Sequence, residues 1–158
     1  MVSDVFSKVQ ERIEILELYS EQTMFSAQTD DVDATSALLS FDCWNLPELR
    51  QKLVFIIDRL VSFRSREYVL AGLNFDRQKN DSLSFNQRLE ALADRYGDSP
   101  SQAMNFWKGG IALVCNRYEV GVKLFEANAL IAKSATSSEA AVAISWLVTE
   151  YIRVNREN

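Results

Sequence analysis

The sequence predicts an all-α protein, with about seven helices packed as antiparallel hairpins in a helical bundle that spans residues 1–158 as a single domain. Three observations carry this. Apolar residues recur at spacings of three and four along most of the chain. Ser, Asn or Thr followed three residues later by Glu or Gln marks one helix start after another. The alternation bounded by turns that marks strands is missing. Two prolines and five glycines in 158 residues leave few interruptions, so elements should be long and connections short.

The first helix is read from about residue 3 to about residue 28. Val2, Val5, Val9, Ile13, Leu16 and Ser20 fall three or four apart, and Glu11, Glu14, Glu17 and Glu21 lie largely on another face. The acidic turn "TDDVDAT" ends it and offers caps for a short helix near 34–42. Asn45, Pro47 and Glu48 then supply an N-cap, a first-turn proline and a capping-box acid. The stripe Leu46, Leu49, Leu53, Ile56 or Ile57, Leu60 and Phe63 follows, and it runs on through Tyr68 and Leu70 toward Gly72 with a break placed at Ser65. "NFDRQKNDSLS" is a polar connection. Ser84 with Gln87 starts a helix carrying Phe85, Leu89, Leu92 and Tyr96, closed by Gly97. Ser99-Pro100 with Gln102 starts the next, with Ala103, Phe106 or Trp107, Gly110 and Val114 on its stripe. Residues 118–133 form a further helix. Thr136 with Glu139 starts the last, whose stripe is Ala140 or Ala141, Ile144, Val148 and Tyr151.

Within residues 100–133, Phe106, Gly110 and Leu113 on one helix are followed by Tyr118, Gly121 and Phe125 on the next. Small residues let two helices approach, and bulky ones fill the gap to a neighbouring pair. In these positions the stretch resembles one unit of the tetratricopeptide family. The resemblance implies a packed helix pair, and a short tetratricopeptide-like array as the alternative to a plain bundle. The stretch departs from the family where Ser134 and Ala135 stand in place of the closing proline, and where Asn128 replaces a small residue. No second copy recurs at a fixed period.

The chemistry open to the chain is narrow. It has no histidine, so the usual neutral-pH base, Ser-His-Asp and Cys-His arrangements and histidine-containing zinc sites are all excluded. Cys43 and Cys115 lie far apart in apolar contexts and read as buried free thiols. Glu14, Glu17 and Glu21 lack the Glu-x-x-His partners of a di-iron site. Asp31 and Asp33 lead into "ATSALLSF", which lacks the Gly and Glu of a calcium loop. Gly109-Gly110 falls inside a helix, where close packing explains it better than phosphate binding. No cofactor or metal is expected, and the chain reads as a non-enzyme. An enzyme using carboxylates and Tyr alone would need an enclosed polar pocket with a perturbed carboxylate.

Charge is uneven. Residues 1–45 hold nine acids against two bases, whereas residues 46–96 hold nine bases against seven acids. A net charge of −5 disfavours nucleic acid as a partner. No apolar run reaches membrane-spanning length and the first residues are not a secretory leader, which points to a cytoplasmic protein with no membrane association. Trp44, Trp107 and Trp146 read as core by default. Trp107 and Phe106 are adjacent, however, so Trp107 is a candidate anchor exposed at a groove. Glu14, Glu17 and Glu21 on the acidic helix, and Arg59 and Arg66 on one face of the third, are the charged candidates for binding a partner.

The function expected from these readings is a small protein–protein interaction module. An adaptor, chaperone or assembly factor of this kind would take a segment of a partner protein in an inter-helix groove. The alternative is an inhibitor or immunity-type protein that blocks one basic target through its acidic N-terminal helix. A homodimer is also expected as an option, because the amphipathic first helix needs cover.

Overall fold

The structure, a computed structural model, describes residues 2–21, 35–75, 83–133 and 137–156. Among these residues there are eight helices and no strand. The chain forms two compact units, Met1–Asn116 and Arg117–Asn158. Unit 1 holds α1 (Val2–Glu21), α2 (Thr35–Ser40), α3 (Leu46–Leu60), α4 (Phe63–Gly72), α5 (Phe85–Tyr96) and α6 (Pro100–Asn116). Unit 2 holds α7 (Tyr118–Lys133) and α8 (Ser137–Arg156), which pack along each other. The helices read at residues 100–133 are present as α6 and α7, divided between the two units. Residues 22–28 of the first helix, the acids Asp31 and Asp33, and the Thr136 cap lie outside the described residues.

The helix starts form as their local chemistry dictates. Asn45 Oδ1 accepts from the Glu48 N–H at 2.9 Å. Ser84 and Gln87 exchange both bonds of a capping box, and so do Ser99 and Gln102. The one break inside a stripe falls at Val61-Ser62 and not at Ser65. Val61 turns to an extended conformation and buries its side chain, and Ser62 becomes the N-cap of α4. Arg66 donates to the carbonyl of Asp58 in the last turn of α3, which helps to close that helix. The kink leaves Phe63 largely exposed, although it sits on the sequence stripe.

α6 is the central post of unit 1, packed against α1, α3, α4 and α5. Its approach to α4 is fixed by two glycines used reciprocally. A Cβ on Gly72 of α4 would strike the Trp107 ring, and a Cβ on Gly110 of α6 would strike Val69. Gly72 is therefore a space requirement. The left-handed residue after α4 is Asn74, with φ 58.

Among the described residues three helix ends of unit 1 turn left-handed, and each is fastened by an arginine from another helix. α2 ends at Asp42 (φ 54), with the Cys43 N–H donating back to Leu38. α4 ends at Asn74, with the Phe75 N–H donating to Leu70. α5 ends at Gly97 (φ 71), with the Asp98 N–H donating to Ala93. These are Schellman-type endings, and two of them use an Asx residue where glycine is usual. Arg12 of α1, buried, donates Nε–H to the Ser40 carbonyl at 2.8 Å. Arg88 of α5 is 1% exposed and donates to four carbonyls: Ala71 (2.7 Å), Leu83 (2.8 Å), Gly72 (2.9 Å) and Ser20 (3.0 Å). The negative ends of α4 and α1 thus stand in for a counter-ion. Burial pulls the Arg88 guanidinium below its ordinary pKa range.

The neighbouring glycines of α6 separate packing from propensity. Gly109 has open space where a Cβ would go, whereas Gly110 has Val69 and Ser65. Gly109→Ala should raise stability by about 1 kcal/mol through helix propensity. Gly110→Ala should lower it by about 1–3 kcal/mol through overpacking. Urea unfolding of the two variants checks the opposite signs.

Candidate functional site

Among the described residues the most exposed large apolar side chains of unit 1 are Leu39 on α2 and Trp44 in the connection between α2 and α3. Leu39, on the outer side of α2, is 73% exposed, and Trp44 is 90% exposed. An open groove of about 400 Å³ runs between α1 and α2, lined by Ser7, Lys8, Glu11, Leu39 and Ser40. Lys8 Nζ meets the Asp42 carboxylate at 3.3 Å and Glu11 is exposed, so the rim carries both signs.

The backbone of Trp44 is fastened by a hydrogen bond while its ring stands in solvent. Its N–H donates to Glu48 Oε2 at 2.6 Å, and Lys52 Nζ donates to Glu48 Oε1 at 3.1 Å. The Trp44 N–H first, and the Lys52 ammonium with it, hold the Glu48 carboxyl below its ordinary range. A hydrophobic residue just before an N-cap usually packs on the fourth helical residue. That residue, Leu49, is fully buried without help from the Trp44 ring, which remains in solvent. Core was the default reading for Trp44, and the structure corrects it. Trp146 is half-buried.

A second cluster holds the strongest titratable interactions. Arg64 Nη1 donates to both oxygens of Asp98, at 2.8 and 2.7 Å, and Tyr68 Oη donates to Asp98 Oδ2 at 2.6 Å. The Arg64 guanidinium also lies 4.4 Å from the Tyr96 ring centroid, and Tyr68 stacks on Phe106 at 5.5 Å. The Tyr68 hydroxyl first, then Arg64, hold the Asp98 carboxyl below its usual range. Burial and the Asp98 charge push the Tyr68 hydroxyl up. An ionised acid with both neighbours donating to it is a clasp between α4 and the α5–α6 turn. It has neither the raised carboxylate of a general acid nor an activated phenol.

The residues singled out in the sequence are scattered. Trp107 is 2% exposed, seated over Gly72 and edge-on to Phe85 at 5.0 Å, so it offers no surface to a partner. Glu14 is exposed and accepts from Gln10, Glu17 is half-buried, and the side chain of Glu21 lies outside the described residues. Arg59 lies over Phe55 at 3.9 Å and Arg66 over Phe63 at 5.5 Å, which brings the two arginines to the α3–α4 junction. Burial pushes the Cys115 thiol up to about 12, so it stays protonated at neutral pH, and the half-buried Cys43 thiol donates to the Phe41 carbonyl at 3.4 Å. Among the described residues no group of three acids or thiols could hold a metal ion, and no helix is long and apolar enough to cross a membrane.

Compared with protein-family profiles, with curated proteins and with solved structures, the chain finds no match.

Asp98→Asn keeps an acceptor for Tyr68 but removes the charge that Arg64 holds. Because the folded carboxyl titrates below the ordinary value of 3.8, its contribution is complete above that pH and is lost as pH falls through the folded value. The variant should melt below the wild type at pH 7, with the gap closing as pH is lowered toward 3. A gap of equal size at both pH values contradicts the clasp.

Proposed function

We propose that this chain is a protein-interaction module that receives a segment of a partner protein along the α1–α2 groove, with Leu39 and Trp44 as its apolar anchors. The observation that carries the reading is Trp44, whose ring is 90% exposed on a backbone fixed by Glu48 and the Asn45 cap. An indole in solvent brings a large contact area, and its fastened backbone leaves only the side-chain torsions to be ordered on binding. The groove beside Leu39 is open and carries both signs of charge at its rim, which suits an amphipathic helix or extended segment. Binding is the whole mechanism: apolar area leaves water at Leu39 and Trp44, and the polar rim sets the register.

Exposed Glu11 and Glu14 on α1 support a second reading, an inhibitor that blocks a basic target. Salt separates the two. An apolar-anchored complex survives moderate salt, whereas one held by exposed carboxylates weakens as charges are screened.

The test is affinity purification from the native host at low and moderate salt, with the wild type beside a Leu39→Ser/Trp44→Ala variant. Both side chains are exposed, so the variant keeps its fold. Expected is one stoichiometric protein held by the wild type at both salts, with affinity lowered by about 30-fold or more in the variant, the effect of losing an aromatic hot spot. Equal retention by both chains, or retention of nothing, refutes the reading.

A further inference from the structure

The two walls of the α1–α2 groove differ in chemistry. Residues 1–45 hold two bases, Lys8 and Arg12. Both reach Asp42, Lys8 Nζ at 3.3 Å and Arg12 Nη2 at 3.9 Å from its Oδ2. Two acids of α1 are left without a cation. Glu11 lines the groove and is exposed, with no hydrogen bond or ion pair among the described residues. Glu14, also exposed, accepts from the neutral amide of Gln10 at 3.4 Å. The two acids stand on one side of α1, about 4.5 Å apart along its axis.

The α2 wall is apolar with one unused polar atom. Leu39 is 73% exposed there. Ser40 lines the groove beside it and is 5% exposed, and its Oγ has no hydrogen-bond partner among the described residues. A buried hydroxyl is normally bonded, so this oxygen is an acceptor that an N–H brought by an occupant can use.

Resting on the groove reading, we infer that the segment received here is a basic amphipathic helix of a partner protein. Lys or Arg three or four residues apart on one flank meets Glu11 and Glu14, and the adjoining apolar stripe covers Leu39. The axial separation of the two acids is close to the roughly 5.4 Å between successive turns of a helix laid along α1, and shorter than the roughly 6.8 Å between same-face residues of a strand. An acidic segment sets like charges against Glu11 and Glu14, and both bases of residues 1–45 already face Asp42. Exposed ion pairs add little affinity each, so the carboxylates act chiefly by rejecting the wrong segment.

The test uses the full chain and three synthetic peptides of about 16 residues, long enough to hold a helix. All share one leucine stripe and carry Lys, Gln or Glu at the remaining positions. Binding is read by the fluorescence anisotropy of a label on the peptide at moderate salt. Expected is the order Lys over Gln over Glu, with Lys favoured over Glu by about 10-fold or more. Glu11→Lys/Glu14→Lys should reverse the order. Glu90→Lys/Asp94→Lys makes the same charge change at exposed positions of α5. It should leave the order intact, which separates a local site from the general pull of a chain of net charge −5. Leu39→Ser should weaken the Lys peptide. Circular dichroism checks that each variant is folded. An order unmoved by the α1 substitutions, an equal shift from the α5 substitutions, or binding of none of the peptides overturns the inference. A Lys peptide that follows Glu11 and Glu14 but ignores Leu39→Ser overturns instead the groove reading beneath it.

Discussion

Helix C-termini are the weak points of a small helical unit, because their last carbonyls have no partner within the helix. In unit 1 an arginine from a neighbouring helix donates to end carbonyls of α1, α2, α3 and α4. Arg88 is the most consequential. It is fully buried, pairs with no carboxylate among the described residues, and ties the ends of α1 and α4 to the start of α5. Burying a lone guanidinium costs several kcal/mol. Four carbonyls offset that cost, since hydrogen bonds to a charged group contribute about 1.5–3 kcal/mol each. The forked, five-donor guanidinium serves four carbonyls at once, which the three donors of a lysine ammonium on one nitrogen cannot do. Arg12 repeats the device at the end of α2, and Arg64 adapts it at α5 by gripping the carboxylate of Asp98.

The same constraint shapes the edge proposed to bind. α2 has only six residues, too few to hold a helix by itself. It stands because Ala37 is buried, Asp42 closes its end, and Arg12 takes the Ser40 carbonyl. Lys8 and Arg12, one turn apart on α1, both reach Asp42. Leu39 is thereby held out from a fixed backbone, as Trp44 is by Glu48. Stability is spent on backbone geometry, which leaves these two side chains unburied.

Helix starts were legible in the sequence because capping is local. A Ser or Asn and an acid or amide three residues later act within one turn, and Asn45, Ser84 and Ser99 all cap as read. The all-α class followed from periodicity for the same reason. Ends and side-chain fates were harder to read because they depend on neighbours. Arg12 and Arg88 each occupy a position on an apolar stripe, between Val9 and Leu16 and beside Leu89, and that placement was the available signal for burial. Residue type alone reads an arginine as solvated, which masks that signal. Trp107 and Trp44 exchange their expected roles. Gly72 opens a seat for the first, and Val61 and Leu49 complete the α3 packing without the second. The paired glycines carry one local signal and two tertiary outcomes, which only the position of Val69 distinguishes.

The most direct test of the arginine-fastened ends is amide hydrogen exchange on the wild type and on Arg88→Lys, which keeps the charge but removes the fork. Expected is a joint loss of protection in the last turns of α1 and α4 and the first turn of α5, with α3 unchanged. Loss confined to α5, with α1 and α4 as protected as in the wild type, would show that the buried guanidinium does not hold these helices together.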